Sequence, residues 1–232
     1  MKRTIMTALA ALICGFAGAW LFSVSGLQDR ATERWLLANP EVLPKMAERL
    51  QQNEGRKRVA SVSADVAKPF PGAVLGNPQG SVTLVEFTDY GCTFCRQSVA
   101  DVQALIADNP NLRVVVREWP IFEGSDGAAR MALAAANQGK YAAFHDLMFA
   151  QGPPSPASVE RAATGAGLDM AAARAFAASP AVELELRTNY ELARKLGFEG
   201  TPSWVIGDQA FSGAVGRDKL AEAIAAAADG GA

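Results

Sequence analysis

Residues 82–96 have the sequence VTLVEFTDYGCTFCR, and this stretch determines the fold. Its first part, from Val82 to Thr88, is rich in β-branched and aromatic side chains and predicts a β-strand. Apolar residues then recur at helical spacing from Cys92 to Ala107, so both cysteines of the stretch lie at the start of a helix. A second strand is predicted over 112–119. Strand, helix and strand in this order predict a βαβ unit with two parallel strands.

The spacing of Cys92 and Cys95 indicates redox chemistry. Cysteines at positions i and i+3 on a helical first turn can come close enough to form a disulfide. Cys92 lies at the helix N-terminus, where unsatisfied backbone N–H groups and the helix dipole stabilise a thiolate, so we predict that it is the nucleophile. Cys95 lies one turn further in, is expected to be more buried, and is predicted to be the resolving thiol.

Two other roles for this cysteine pair are less well supported. A structural disulfide across so short a loop would remove little entropy from the unfolded chain. A metal site lacks further ligands, because Cys14 lies in an apolar N-terminal segment and His145 is the only histidine. His145 itself is expected to be a capping or packing residue of a helix. We therefore expect neither a metal nor a cofactor.

Glu86 is an acid in the middle of an otherwise apolar strand that leads into the cysteine helix. Burying a carboxylate is costly unless it has a partner or a task. It is therefore either a strand-edge residue that faces solvent or a proton acceptor for Cys95, acting directly or through water.

The remainder of the domain completes an α/β pattern. From about residue 127 to 196 the chain is alanine-rich and helical in pattern, with breaks at proline and glycine. Two short strands are predicted at 203–206 and 210–212, followed by a last helix over 217–227. The predicted layout is a βαβ unit, a helical insertion and a ββα unit.

The N-terminus has the pattern of a targeting element. Lys2 and Arg3 precede an uncharged stretch, 4–28, that is long enough to span a bilayer. Either this is a retained membrane anchor, or it is a signal peptide cleaved after the small-residue run 17–19. The apolar run continues through 20–22, which favours a retained helix. In both cases we expect the rest of the chain to face an oxidising compartment, namely the periplasm, with residues 4–28 in the inner membrane if they are retained.

Between this element and the main domain we predict a helical segment over 29–52 and a solvated linker over 53–71, with the folded domain at 72–232. The linker is predicted from the charged run 54–58 and the small residues that follow. The helical segment has one apolar face, which could pack on the main domain or on copies of itself. That face comprises Val42, Leu43, Met46 and Leu50.

Composition excludes other classes of protein. The 232 residues suit one domain with attachments, and 22 Lys and Arg against 24 Asp and Glu give a net charge of -2. This charge gives no general attraction to phosphate, so we expect no nucleic-acid partner.

The motifs together resemble the DsbA-like thioredoxin-fold oxidoreductases. The resemblance rests on 86–96, on Phe144-His145-Asp146 and on Gly200-Thr201-Pro202-Ser203, and covers about residues 73–227. It implies a thioredoxin fold with an inserted α-helical domain, a catalytic Cys92/Cys95 pair and a buried acid at Glu86. It also implies a cis peptide bond before Pro202 beside the thiols, which would leave the Thr201 backbone free to pair with a substrate strand.

The sequence differs from the classical oxidant of this family in two places, and these differences change the reduction potential and the branch of the family that we expect. That protein has a proline and a histidine between its cysteines, where this chain has Thr93 and Phe94. Without the cation we predict a weaker oxidant, with a reduction potential between roughly -120 and -270 mV. Thr201 before the proline, and the segment 36–43, look more like the isomerase and ScsC-like branches, some members of which oligomerise through this N-terminal region. We expect Thr93, Phe94, Thr201 and Pro202 to contact substrate.

The sequence therefore predicts an extracytoplasmic thiol-disulfide oxidoreductase acting on cysteine-containing exported proteins. It would need a membrane redox partner that re-oxidises or reduces it, and it could form a homo-oligomer through 29–52. The pattern leaves open whether it forms, reduces or isomerises disulfides. The alternative is a non-enzymatic thioredoxin-like binding module, for example one that handles copper through the two thiols.

Overall fold

The computed structural model describes residues 2–24 and 27–229. The chain divides into two compact units, one ending at Gln52 and the other beginning at Asn53.

The first unit is entirely helical in its described residues. It contains α1 (Lys2–Val24), α2 (Leu27–Ala38) and the first part of α3 (Val42–Val66). Within α1, the stretch Ile5–Val24 is long and apolar enough to cross a membrane, a property that a signal sequence shares. The predicted apolar face of 29–52 is largely exposed to solvent: Leu43, Met46 and Leu50 are all exposed.

The predicted linker over 53–71 is wrong for its first part, because α3 continues through it to Val66. Val59, Val62 and Val66 recur at helical spacing and are buried. They pack against apolar side chains of the sheet, so the helix is stabilised by a tertiary contact that its own composition did not reveal.

The second unit is built on a mixed five-stranded sheet. Its strands are β1 (Val74–Gly76), β2 (Val82–Thr88), β3 (Leu112–Glu118), β4 (Ser203–Ile206) and β5 (Gln209–Ser212). They lie in the order β1-β3-β2-β4-β5. The strands β2 and β3 are parallel, as predicted, and the other neighbouring pairs are antiparallel. The three-residue strand β1 was not predicted.

Helices cover both faces of this sheet. The predicted cysteine helix is α4 (Thr93–Asp108), and the predicted last helix is α10 (Arg217–Asp229). Between β3 and β4 the chain forms the predicted helical insertion. Its helices are α5 (Asp126–Asn137), α6 (Tyr141–Ala150), α7 (Pro156–Gly165), α8 (Met170–Ala177) and α9 (Pro180–Leu196).

The two sheet faces belong to two separate core clusters. Leu84, Val116 and Trp204 lie in the larger cluster, which also contains Cys92 and Cys95. The alternate residues of the strands, such as Phe87 and Val115, lie in the second cluster, which contains the buried valines of α3 and parts of α9. β2 is therefore buried on both faces, as its nearly continuous apolar sequence requires.

A buried arginine anchors the end of α3. Arg117 on β3 is 2% exposed, and its guanidinium donates to the backbone carbonyls of Asp65 and Lys68. It also forms an ion pair with Glu185 on α9 at 2.9 Å. Arg117 thus connects the sheet to both α3 and α9.

Candidate active site at the start of the cysteine helix

Cys92 is the N-cap residue of α4. Its Sγ accepts a hydrogen bond from the backbone N–H of Cys95, with an N···S distance of 3.4 Å. The turn before it is tight, because a Cβ at Gly91 would lie 2.9 Å from Cβ of Phe122 and 3.0 Å from Oγ of Ser125. Only glycine fits there. The predicted position of Cys92 at a helix N-terminus is therefore the observed one.

Cys95 lies one turn along the same helix. Both thiols are free and buried, with exposed fractions of 1% for Cys92 and 0% for Cys95, so the expected difference in burial is absent. The surroundings of the two sulfurs differ instead. Burial raises the pKa of the Cys95 thiol far above its ordinary value, and the charge of Glu86 raises it further. Cys95 therefore needs a base before it can act as a nucleophile.

The loop before β4 lies against Cys92. The Cys92 thiol donates to the backbone oxygen of Thr201 at 3.1 Å, across 109 residues of sequence. The Thr201–Pro202 peptide bond is cis. Both residues are buried beside the thiols, as the resemblance implied.

Glu86 is inside the molecule and not at a strand edge. Its side chain is 2% exposed, and its backbone lies between Val116 of β3 and Trp204 of β4. Burial raises the pKa of Glu86 to about 8. This carboxyl therefore keeps its proton at neutral pH and can exchange it near pH 8, and its charge acts to raise the pKa of Cys95.

The residues between the cysteines face outward. Thr93 and Phe94 are both exposed, and Phe94 shows 59% of its surface to solvent. Two further exposed apolar side chains, Ile121 and Phe122, lie on the loop that follows β3. Sequence reasoning did not identify this loop as part of the site.

Asp89 ties that loop to the cysteine turn. Its carboxylate accepts hydrogen bonds from the backbone N–H groups of Gly91 at 2.7 Å, Ile121 at 2.6 Å and Phe122 at 2.8 Å. The sequence analysis missed this residue. An aspartate two residues before a glycine is typical of a turn in which the side chain bonds the backbone, and that pattern could have revealed it.

His145 is a packing residue, as expected. It is 2% exposed and lies among the rings of Tyr90, Tyr141 and Phe149, with centroid distances of 5.0 to 6.0 Å. Across residues 2–24 and 27–229 there is no group of three or more His, Cys, Asp or Glu side chains that could hold a metal ion.

Comparison with known proteins identifies the family. The model of the DSBA-like thioredoxin domain matches residues 83–225. The chain belongs to this family. The match covers the cysteine turn, the helical insertion and the Thr201–Pro202 loop, and confirms both the predicted fold class and the resemblance from which it was drawn.

Several solved structures are similar to this chain. A thioredoxin-like oxidoreductase from Silicibacter pomeroyi is 46% identical, with a TM-score of 0.65 over 67% of this chain and 91% of that one. The catalytic domain of Proteus mirabilis ScsC is 26% identical, with a TM-score of 0.66 over 74% of this chain and 97% of that one. The thiol-disulfide exchange protein alpha-DsbA2 from Wolbachia pipientis is 26% identical, with a TM-score of 0.68 over 76% and 97%.

Curated relatives match over a part of their length. A protein named Na(+)/H(+) antiporter NhaA 1, from Salinispora arenicola, is 29% identical over 158 residues. This alignment covers 66% of this chain and 24% of that protein. The chain thus spans about a quarter of the length of the curated relatives it matches.

Proposed function

We propose that the chain is an extracytoplasmic thiol-disulfide oxidoreductase that works through Cys92 and Cys95. The observation that carries this proposal is the position of the Cys92 sulfur. It lies at the N-cap of α4, 3.4 Å from the Cys95 nitrogen and 3.1 Å from the Thr201 oxygen. Backbone N–H groups at a helix start stabilise the thiolate that attacks a disulfide, and the nearby loop can hold the substrate chain.

In the reducing direction the reaction has two steps. The Cys92 thiolate attacks one sulfur of a substrate disulfide, the substrate S–S bond breaks, and the departing substrate thiolate takes up a proton. Cys95 then loses its proton and attacks the Cys92 sulfur. The Cys92–Cys95 disulfide forms, and the second substrate sulfur leaves as a thiol. Two electrons pass from the enzyme to the substrate, and the reverse sequence oxidises a substrate dithiol.

Glu86 is the proposed proton acceptor for Cys95. The thiol is buried and holds its proton tightly, so a base inside the protein is needed for the second step. Once ionised, Glu86 can take that proton, and its pKa of about 8 makes it a stronger base than an ordinary carboxylate, which narrows the pKa gap to the Cys95 thiol.

The substrate is proposed to bind across the exposed rim of the site. The Thr201 backbone lies next to Cys92 and can pair with an extended substrate segment, in the manner of an added strand. Thr93 and Phe94 present an exposed surface directly beside the cysteines. Such contacts suit partly folded proteins, whose cysteine-bearing segments are extended.

Trapping of the mixed disulfide tests the proposal. Cys95→Ser leaves the attacking thiol and removes the resolving one, so a disulfide-bonded substrate should accumulate on Cys92. Cys92→Ser should trap nothing, and Cys14→Ser in α1 should behave as the wild type. The proposal fails if Cys95→Ser traps no substrate and the wild type neither reduces insulin nor refolds a protein with scrambled disulfides. Stoichiometric Cu(I) binding by such an inactive protein would instead support the copper-handling alternative.

The proposal extends to the export of the protein, its self-association and the direction in which it exchanges disulfides. The apolar stretch Ile5–Val24 supports export with either a membrane anchor or a cleaved signal, and the exposed Leu43, Met46 and Leu50 support self-association.

The direction of exchange can be tested by trapping the thiols with an alkylating reagent in the native compartment. Mostly reduced thiols would indicate an isomerase or reductase with a reducing membrane partner, and mostly oxidised ones an oxidase with a partner that re-oxidises it.

A further inference from the structure

A second buried carboxyl lies on the sheet face that carries the thiols. Glu118 is the last residue of β3, and its side chain is fully buried. In the parallel ladder Glu118 lies opposite Thr88, while Glu86 lies opposite Val116. Opposite residues, and residues two apart on a strand, project to one face, so Glu86, Thr88 and Glu118 share a face. Val116 on that face belongs to the core cluster that contains Cys95.

The two oxygens of Glu118 have different surroundings. Oε1 accepts hydrogen bonds from the hydroxyl of Tyr141 at 2.7 Å and from that of Tyr90 at 3.1 Å. Oε2 is buried and has no hydrogen-bond partner among the described residues. Thr88 lies opposite Glu118 in the ladder and two residues from Glu86 on β2, and its side chain acts to lower the pKa of Glu86.

No cation is among the groups that act on Glu118. The titratable groups that influence it are Tyr90, Tyr141, Asp89 and Glu86, and His145 packs against both tyrosine rings. Arg117, the neighbouring residue on β3, is directed to the opposite face, where it binds the end of α3. Burial accordingly raises the pKa of Glu118 to about 8, and the charge of Glu86 also acts to raise it.

We propose that Glu118 is a positioning residue that shares one proton with Glu86 once the pair has lost the other, so that one of the two buried carboxyls stays neutral while the other accepts the proton of Cys95. This inference rests on the proposed function, because it places Glu118 behind the same resolving step. Two like charges in a buried site disfavour each other, so the carboxyls titrate as a coupled pair. Tyr90 and Tyr141 hold one oxygen of Glu118, and the other oxygen, which has no hydrogen-bond partner among the described residues, is available to carry the proton.

Glu118→Gln is the direct test, because glutamine keeps a carbonyl for the tyrosines and removes the ionisation. We would measure the pH dependence of the step in which Cys95 resolves a mixed disulfide between Cys92 and glutathione. The wild-type rate should rise over a broad range with two ionisations. The variant should show one ionisation and reach its plateau about one pH unit lower. A merely structural role would scale the whole profile without changing its shape.

Tyr141→Phe supplies an independent variant if Glu118→Gln folds poorly. It removes the 2.7 Å hydrogen bond from Tyr141 to Glu118. Because that bond lowers the pKa of Glu118, its loss should raise this pKa and move the two ionisations further apart. Glu222→Gln, at an exposed glutamate of α10, is the control and should keep the wild-type profile. The inference is overturned if both Glu118→Gln and Tyr141→Phe keep the wild-type shape.

Failure of the proposed function would look different, since the wild type would then resolve no mixed disulfide at any pH. In that case carbon-13 NMR of the glutamate side-chain carboxyls in the full chain still decides the inference. The Glu86 signal should titrate in a broad, two-stage manner in the wild type and in a single stage in Glu118→Gln. Identical Glu86 titrations in the two proteins would refute the sharing of a proton.

Discussion

At the residue scale, the site is defined by side chains whose ordinary ionisation is suppressed by burial. Glu86 and Glu118 are both raised to a pKa of about 8, and Cys95 holds its proton still more tightly. Each of these groups is neutral at neutral pH, which avoids the free-energy cost of a buried charge. As a consequence, the stability of the fold decreases as the pH rises and these groups ionise.

Glu86→Gln should separate stability from activity. A carboxyl with a pKa of about 8 in the folded state and an ordinary one when unfolded keeps an extra proton in the folded state between these values. Its contribution is therefore complete at low pH and is lost as the pH rises through 8. Relative to the wild type, Glu86→Gln should gain roughly 2.7 kcal/mol in unfolding free energy over two pH units between the unfolded and folded pKa values. Urea unfolding at a series of pH values measures this change.

The same variant should resolve mixed disulfides at least about 100-fold more slowly, the usual cost of losing a positioned proton acceptor. Glu191→Gln, at an exposed glutamate of α9, should change neither property. A Glu86→Gln variant that resolves at the wild-type rate would remove Glu86 from the mechanism.

Phe94→His should make the disulfide a stronger oxidant. Phe94 is exposed on the first turn of α4, so a histidine there can place positive charge beside the Cys92 thiolate without disturbing the core. Stabilising the reduced form raises the reduction potential, by about 30 mV for each tenfold change in the equilibrium constant. Equilibration with glutathione buffers measures the shift. Phe94→Leu is the matched control, and an equal potential in both variants would contradict the argument.

The placement of the cysteines at the start of a helix could be predicted from the sequence, because strand, turn and helix start are contiguous there. Glu86 was also identified, since an acid inside an apolar strand stands out. Glu118 was not, although it ends a similar strand. Its importance depends on the pairing of β2 with β3 and on Tyr141, and sequence periodicity shows neither contact.

At the scale of elements, the helices and strands with a clear period were predicted and those that depend on a partner were not. The valines of α3 are separated by small and charged residues, so the segment resembled a linker until the sheet face opposite them was known. β1 has three residues, too few to show alternation, and exists because β3 pairs with it.

The anchoring of α3 by Arg117 gives a prediction at this scale. Arg117→Leu leaves the carbonyls at the end of α3 and the carboxylate of Glu185 without their buried partner. We expect a loss of about 3 to 5 kcal/mol in unfolding free energy, with faster hydrogen exchange in the last turns of α3. Arg56→Ala breaks the exposed pair with Asp208 and should cost less than about 1 kcal/mol. Similar losses in the two variants would show that the anchor is unimportant.

At the scale of the whole molecule, the N-terminal unit and the thioredoxin unit are expected to have separable tasks. All the residues of the proposed site lie between Glu86 and Pro202, within the second unit. Removal of residues 1–28 should therefore leave insulin reduction unchanged, and it should release the protein from membranes where these residues are retained as an anchor. Fractionation and a turbidity assay on both forms measure this. A folded but inactive truncated protein would show that the N-terminal segment takes part in catalysis.

The reduction potential of the full chain would show whether Cys92 and Cys95 form a redox-active pair. The protein is equilibrated with glutathione buffers of graded potential, its thiols are alkylated, and the bond between Cys92 and Cys95 is identified by mass spectrometry. We predict one reversible two-electron disulfide between these residues, with a potential between roughly -120 and -270 mV. A pair that forms no disulfide in any buffer would contradict the oxidoreductase assignment, and a potential at or above the oxidising end would contradict the role given to the missing histidine.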